Sequence, residues 1–329
     1  MSEYKVAMQQ QTENRIQLID RIPLSTPLSM QIELASACNF KCRFCMHYND
    51  QNIKKGVFKP GIMSLATFKS AVDGLKQFPD KLKFITLQSR GESLLNPHFV
   101  EMLRYLKEAD VVEKVGLYTN GTLLSKEVSD GMIDAGLDTL HISIEGINAE
   151  EYKRVAGVDI DFEQLIQNIT YFYENKKNTY VYIKTIDCGM SSKDKDKFKL
   201  LFNHICDDLF IENAIDAWQG AGSDKTYLTD NRYNESVTKA VICPRLFFTC
   251  DIHFDGSVVA CGHDWSEQYI VGNINSDTIA NIWGNEKFEH IRNIHLAGDA
   301  DKIERCRNCV SRTECLPKDN IDRLLEDRK

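Results

Sequence analysis

The chain has 329 residues, of which 43% are hydrophobic and 27% charged, a composition typical of one large globular domain with a small addition. Its formal net charge of -8 and pI near 5.6 argue against binding to nucleic acid or anionic membranes, which requires clustered basic residues. The sequence has neither a signal-peptide pattern nor an apolar run of about 18 residues, so we expect a cytoplasmic protein.

Short apolar, β-branched runs alternate with amphipathic helical patterns over the first two thirds of the chain, which is typical of parallel β/α units. Ser64, Asn96 and the segment from Ser125 to Gly136 carry helix start and stop signals. The pattern predicts an α/β fold, a partial (β/α)6 TIM-like barrel, with chemistry on the loops after the strands. The six candidate strands lie at residues 29–35, 83–89, 114–120, 139–145, 180–186 and 209–216.

The alternation stops near residue 220, and a cysteine-rich region follows. Within that region, Asp255-Gly256 predicts a hairpin turn that would bring the cysteines on either side of it to one edge. The predicted organisation is a lead segment at 1–28, the partial barrel at 29–220, a linker at 221–242, a small C-terminal domain at 243–318 and a tail at 319–329.

Eleven cysteines are many for a compartment that keeps thiols reduced, so their clusters predict metal ligands and not disulfides. Nine of them form two groups, which indicates two metal sites, and only Cys188 and Cys206 lie between. Three lie close together near the start, at Cys38, Cys42 and Cys45, and six lie in the last quarter, at Cys243, Cys250, Cys261, Cys306, Cys309 and Cys315.

The early group is a C-x3-C-x2-C arrangement directly after the first predicted strand. Iron-sulfur clusters normally take one cysteine at each iron, so three thiolates leave one iron open to another ligand. The alternative is a zinc site whose fourth ligand is a residue such as His47.

This arrangement resembles the radical S-adenosylmethionine (radical SAM) superfamily, and further family landmarks stand at the ends of later predicted strands. The resemblance implies that the landmark residues, named at the end of this paragraph, contact the cofactor, S-adenosylmethionine. It also implies that Cys38, Cys42 and Cys45 hold a 4Fe-4S cluster. Ser93 departs from the proline that is usual after the Gly-Glu pair. The matching residues are Phe44, Gly91, Glu92, Asn120, Ser143 and Glu145.

The resemblance also implies the chemistry. The cofactor's methionine group occupies the open iron, an electron enters the cluster from a reductant such as flavodoxin or ferredoxin, and a 5'-deoxyadenosyl radical removes a substrate hydrogen. The protein contributes orientation and exclusion of water.

The later cysteines resemble the C-terminal auxiliary-cluster domains called SPASM or, when shortened, twitch. The spacing is C-x12-G-x4-C followed by C-x2-C-x5-C, and no cysteine follows Cys315. This implies one auxiliary 4Fe-4S cluster, and a zinc ribbon is the alternative. The implied ligands are Cys243, Cys261, Cys306 and Cys309; Cys250 remains open as a substitute ligand or hydrogen-atom donor, and Cys315 remains open as well.

For the substrate chemistry, the predicted catalytic residues are Cys250, Arg90 and Lys184. The resemblance favours dehydrogenation or epimerisation of a small polar molecule such as an aminocyclitol, sugar or nucleotide sugar, because relatives with a single auxiliary cluster include aminocyclitol dehydrogenases. We also expect no peptide-recognition domain before the barrel, since only about 28 residues precede the first strand. The alternatives are a maturase of ribosomally made peptides and a non-enzymatic iron-sulfur protein.

Overall fold

A computed structural model describes residues 17–229, 232 and 237–325. Nine strands are present in these residues. They are β1 (Ser29–Ile32), β2 (Leu82–Thr86), β3 (Val112–Thr119), β4 (Thr139–Ser143), β5 (Tyr180–Asp187), β6 (Asp208–Asn213), β7 (Thr249–Ile252), β8 (Ser257–Val259) and β9 (Ile270–Asn273).

All nine strands belong to one sheet, in the order β6-β5-β4-β3-β2-β1-β7-β8-β9. Strands β1 to β6 run parallel to their neighbours, which confirms the six predicted strands and the α/β class. The first and last strands of this order do not pair with each other, so the sheet is open, as a partial TIM barrel requires.

Helices connect the parallel strands and cover the sheet. In the described part of the chain the α-helices are α1 (Gln51–Lys54), α2 (Leu65–Leu75), α3 (Phe99–Ala109), α4 (Lys126–Ala135), α5 (Ala149–Ala156), α6 (Phe162–Asn175), α7 (Ser192–Phe202), α8 (Ile279–Trp283), α9 (Glu286–Leu296) and α10 (Val310–Thr313).

The predicted helix signals are confirmed at two of three places. Ser64 and Ser125 each accept a backbone hydrogen bond as N-caps, and Gly136 ends α4 with φ of 76°. The helix predicted to start at Asn96 begins later, at Phe99. Asn96 instead anchors the preceding turn, because its Nδ2 donates to the carbonyl oxygens of Leu34 and Met63, both at 3.0 Å.

The C-terminal region extends the barrel sheet, which the sequence pattern did not predict. Strand β7 lies parallel to β1, with Met30 opposite Cys250, so β1 is paired on both sides. Strands β7 and β8 form the predicted antiparallel hairpin at Asp255-Gly256, where Gly256 has φ of 86°, a conformation that favours glycine.

One apolar core runs from the barrel into the C-terminal region, from Phe68 through Ile142 to Val258 and Ile282. The predicted domain limits stay a prediction; parts of the lead segment (1–16), the linker (230, 231 and 233–236) and the tail (326–329) lie outside the described residues. Among the described helices, none has the length and apolar character needed to cross a membrane.

The packing of helices on the sheet predicts different costs for two leucines. Leu103 in α3 is fully buried, whereas Leu200 in α7 is 73% exposed. Leu103→Ala is expected to lower the free energy of unfolding by about 2–5 kcal/mol because it leaves a cavity. Leu200→Ala should change it by less than about 0.5 kcal/mol. Urea unfolding midpoints measure both, and equal losses would contradict the packing described here.

Candidate functional site

The carboxyl ends of the parallel strands open into a cavity of about 700 Å³. Its wall brings together the loop after β1, the ends of β2 to β6, and parts of the C-terminal region. Of the predicted site residues, the cavity wall includes Cys38, Cys42, Cys45, Phe44, Arg90, Gly91, Glu92, Asn120, Ser143, Glu145 and Lys184.

The cysteine loop is folded so that its three sulfur atoms share one environment. The Cys45 amide donates to the Cys42 carbonyl at 2.8 Å, which closes a turn, and the Phe40 amide donates to the Cys38 sulfur at 3.4 Å. Backbone amides of Met46 and His47 donate to the Cys45 thiol. Amide hydrogen bonds to sulfur are a feature of iron-sulfur sites, so the donor set fits a cluster.

Burial raises the pKa of the Cys38 thiol to about 12 and that of Cys45 to about 11. Neighbouring thiols and carboxylates add to the effect, since negative charge on one sulfur repels charge on the next. Three such thiolates need a positively charged partner, which the iron of a cluster would supply.

The Gly91-Glu92 segment lies directly against the chain that leads into the cysteine loop. A Cβ atom on Gly91 would stand 2.3 Å from the carbonyl oxygen of Ala37 and 2.5 Å from that of Ala35, so only glycine fits. The Glu92 amide donates to the Ala37 carbonyl at 2.9 Å. The two loops are therefore held as one unit.

The Glu92 carboxylate also connects the loop after β2 to the end of β3. It accepts hydrogen bonds from the Thr119 hydroxyl at 2.9 Å, the Asn120 amide at 2.8 Å and the Leu94 amide at 3.0 Å. Burial raises its pKa, while these donors act in the opposite direction. The predicted residues Glu92 and Asn120 are thus in direct contact.

A second group of polar residues lines the cavity at the ends of β4, β5 and β6. Lys184 Nζ contacts Glu212 Oε2 at 2.8 Å, and both side chains are largely buried. Glu145 lies near this pair; burial raises its pKa to about 7, and the positive charge of Lys184 lowers it to a smaller extent. Glu314 and Arg232 complete this region of the wall.

Arg90, which the sequence analysis proposed as catalytic, is held by two carboxylates. Its Nε and Nη2 donate to the two oxygens of Glu33, each at 2.7 Å, and its Nη1 contacts Glu267 at 2.7 Å. The guanidinium is therefore committed to ion pairs inside the protein, although the residue contributes to the cavity wall.

The four implied auxiliary ligands come together behind the cavity wall. Cys243 experiences the charges of the other three, Cys261, Cys306 and Cys309, while burial is the main cause of its raised pKa. Arg245 donates a hydrogen bond to Cys261, and Ser311 donates to Cys309. Four thiols, two of them buried and two partly buried, with nearby donors fit a fully ligated cluster.

Cys250 lies away from both cysteine groups. Adjacent residues of a strand point to opposite faces: Asp251 reaches Ser89 at 3.1 Å on the cavity side, whereas Cys250 lies in the apolar core with Arg292 of α9 as its cationic neighbour. The structure brings it neither to the cavity wall nor to the auxiliary cysteines. Cys315, in contrast, contributes to the cavity wall.

Several residues of the site were not found from the sequence. Glu33 stands in the apolar run SMQIELA, and a charge inside such a run is a usable signal of a buried ion pair. Glu267, Arg245 and Arg232 had no comparable signal, because their roles depend on contacts with distant segments.

Iron content tests the assignment of both cysteine groups. Reconstituted protein is expected to hold about eight irons per chain, and replacing Cys38, Cys42 and Cys45 by alanine should leave about four. Cys250→Ala should retain about eight, as should the control Cys206→Ala, whose thiol donates to the Phe202 carbonyl. If Cys250→Ala lost half of its iron, Cys250 would be a ligand after all.

The comparison with family models and curated proteins agrees with this geometry. The radical SAM superfamily matches residues 32–198, and the iron-sulfur cluster-binding domain named SPASM matches residues 243–310.

The AdoMet-dependent heme synthase of Methanosarcina barkeri is 30% identical over 44% of this chain, but the chain covers only 39% of that protein. The tungsten-containing aldehyde ferredoxin oxidoreductase cofactor-modifying protein of Pyrococcus furiosus is 22% identical over 80% of this chain and 82% of its own length.

Solved structures show the same fold. BtrN in complex with AdoMet and 2-DOIA has a TM-score of 0.55 at 18% identity, covering 86% of this chain and 92% of BtrN. SuiB of Streptococcus suis bound to the precursor peptide SuiA has a TM-score of 0.66 at 15% identity, covering 91% of this chain and 73% of SuiB. Because the superfamily match spans more than half of its residues, the chain belongs to the radical SAM superfamily and carries a SPASM-type iron-sulfur domain.

Proposed function

We propose that this chain is a radical SAM enzyme that dehydrogenates or epimerises a small polar substrate such as an aminocyclitol, sugar or nucleotide sugar. The observation that carries the proposal is the shared cavity: the cysteine loop, the Gly91-Glu92 segment and the Lys184–Glu212 pair all line it. Its volume of about 700 Å³ is within the range of small-molecule sites, about 300–1,000 Å³.

When bound, the cofactor and its cluster supply a radical that removes a substrate hydrogen atom, and the auxiliary cluster supplies a one-electron acceptor or donor. Cys38, Cys42 and Cys45 would hold the first cluster, with Glu92, Asn120, Ser143 and Glu145 around the cofactor. Cys243, Cys261, Cys306 and Cys309 would hold the second. The side chains of this protein then fix which substrate bond is presented.

The Lys184–Glu212 pair provides the polar contact for a substrate hydroxyl. Lys184 Nζ is held 2.8 Å from the Glu212 carboxylate, and an ammonium group fixed in this way at the cavity wall can donate to a substrate oxygen. The acidic side chain of Glu314 lines the same region and suits a substrate with an amino group. These features support a polar ligand in preference to an apolar one.

Cofactor cleavage tests the enzyme assignment. Anaerobically reconstituted protein with dithionite and S-adenosylmethionine is expected to form 5'-deoxyadenosine, and the variant lacking Cys38, Cys42 and Cys45 should form none. If wild-type protein with a full iron content gives no 5'-deoxyadenosine, the proposal fails and the non-enzymatic alternative stands.

Deuterated substrates test the substrate class. We expect deuterium in 5'-deoxyadenosine with a labelled aminocyclitol, sugar or nucleotide sugar, and Lys184→Met should reduce the rate with little effect on cofactor cleavage alone. If only labelled peptides transfer deuterium, the chain is a peptide maturase. Its substrate would then be a peptide, like the precursor peptide SuiA that is bound to SuiB.

The raised pKa of Glu145 predicts that cofactor binding depends on pH. With a pKa of about 7, this carboxyl is mostly protonated at pH 6 and mostly ionised at pH 8. The ionised form is the stronger acceptor for hydroxyl groups and attracts the cofactor's positive sulfonium. Affinity for S-adenosylmethionine should therefore rise up to about tenfold from pH 6 to pH 8.

The control for this effect is Glu145→Gln, which keeps the shape of the side chain but does not titrate. Its affinity should be nearly constant over the same pH range, and equilibrium dialysis measures it in both proteins. An equally steep pH dependence in Glu145→Gln would show that another group is responsible.

A further inference from the structure

Arg90 is the centre of a buried ionic cluster that joins the barrel to the C-terminal region. We call it the Arg90 cluster; its members are Glu33, Arg90, His253, Trp265 and Glu267. Glu33 and the side chain of Arg90 are almost completely buried, whereas the side chain of Glu267 is 29% exposed. Buried charges of this kind persist only when they are paired and hydrogen-bonded.

Two sides of Arg90 are held by different parts of the chain. Glu33, just after β1, accepts two parallel hydrogen bonds from the guanidinium and a third, at 3.2 Å, from the Arg90 amide. On the other side, Arg90 Nη1 contacts the Glu267 carboxylate at 2.7 Å and the Trp265 carbonyl at 3.1 Å. Only the second set of contacts comes from the C-terminal region.

Glu267 reaches this position through an uncommon backbone conformation. Its φ is +58°, in the left-handed region that non-glycine residues rarely adopt because the Cβ atom crowds the backbone there. In that conformation its carboxylate also accepts a hydrogen bond from His253 Nδ1 at 2.9 Å. The strain is retained at a residue that contacts two buried basic side chains.

The contacts of Arg90 extend to the cofactor loop. The residues that follow it are Gly91 and Glu92, which pack against Ala35 and Ala37 as described above. His47, two residues after Cys45, donates from Nε2 to the Arg90 carbonyl at 2.8 Å. A displacement of Arg90 would therefore move the Glu92 amide and disturb the cysteine loop.

We propose that Glu267 is a positioning residue: acting through Arg90, it holds the Gly91-Glu92 segment in the geometry that binds S-adenosylmethionine, so that the C-terminal region controls cofactor affinity. This inference rests on the proposed function. It assigns to the C-terminal region a role besides holding an auxiliary cluster, and it places Arg90 in positioning and not in the chemical step.

The left-handed conformation of Glu267 allows a substitution that separates positioning from stability. Glycine adopts this conformation without strain, so Glu267→Gly removes the carboxylate while relieving the backbone. The matched control is Asp110→Gly. Asp110 also has a positive φ, 54°, and also pairs with a basic side chain, Lys81 at 2.5 Å, but on the surface of the barrel.

The experiment measures S-adenosylmethionine binding to reconstituted protein by equilibrium dialysis, together with the thermal midpoint of unfolding. Glu267→Gly is expected to raise the dissociation constant about 3- to 30-fold, in the range of couplings between sites. Asp110→Gly should leave it unchanged, and the thermal midpoints of the two variants should differ little. Glu267→Gln, which keeps the side-chain size, should give a smaller increase than Glu267→Gly.

Hydrogen exchange without the cofactor provides a second readout that does not depend on activity. The Glu92 amide, bonded to the Ala37 carbonyl, should exchange faster in Glu267→Gly than in wild type and in Asp110→Gly.

Unchanged affinity and unchanged exchange in Glu267→Gly would overturn the inference. So would equal losses of affinity in both glycine variants. If wild-type protein itself does not bind the cofactor, the proposed function fails; if wild type binds and Glu267→Gly binds equally well, only this inference fails.

Discussion

Strand β1 is the constraint on which the rest of the structure depends, because it is hydrogen-bonded on both sides, to β2 and to β7. Its parallel partners bring the cysteine loop, the Gly91-Glu92 segment and the start of the C-terminal hairpin to the same edge of the sheet. Parallel strands place their carboxyl ends together, so the site follows from this pairing. The pairing with β7 is what brings the C-terminal region, with the auxiliary cysteines, to the cavity that the loop after β1 lines.

Much of the barrel could be predicted from the sequence, because its information is local. The run KFITLQS has the apolar character of a buried parallel strand, and β2 occupies most of it. Ser64 and Ser125 mark helix starts because an N-cap needs only its own neighbours. The cysteine loop could be identified for the same reason, since its three thiolates come from eight consecutive residues.

The parts that sequence reasoning missed depend on contacts between distant segments. Strand β7 is only four residues long, and its partner β1 lies at the other end of the chain. The position of Cys250 depends on which face of β7 meets the cavity, and the spacing of cysteines says nothing about that face. Arg90 stands beside the cofactor motif in sequence, yet its partners are Glu33 and Glu267, which only the folded chain brings to it.

The pairing of β1 with β7 also has a consequence for how the chain is made. Ser29 pairs with Thr249, so 220 residues (249 minus 29) must be synthesised before the second edge of β1 can be covered. At about 5–20 residues per second, that edge stays open for roughly 10–45 s on the ribosome. An open strand edge is a template for intermolecular pairing. The separation of β1 and β7 along the chain therefore leaves this edge exposed to intermolecular pairing throughout that interval.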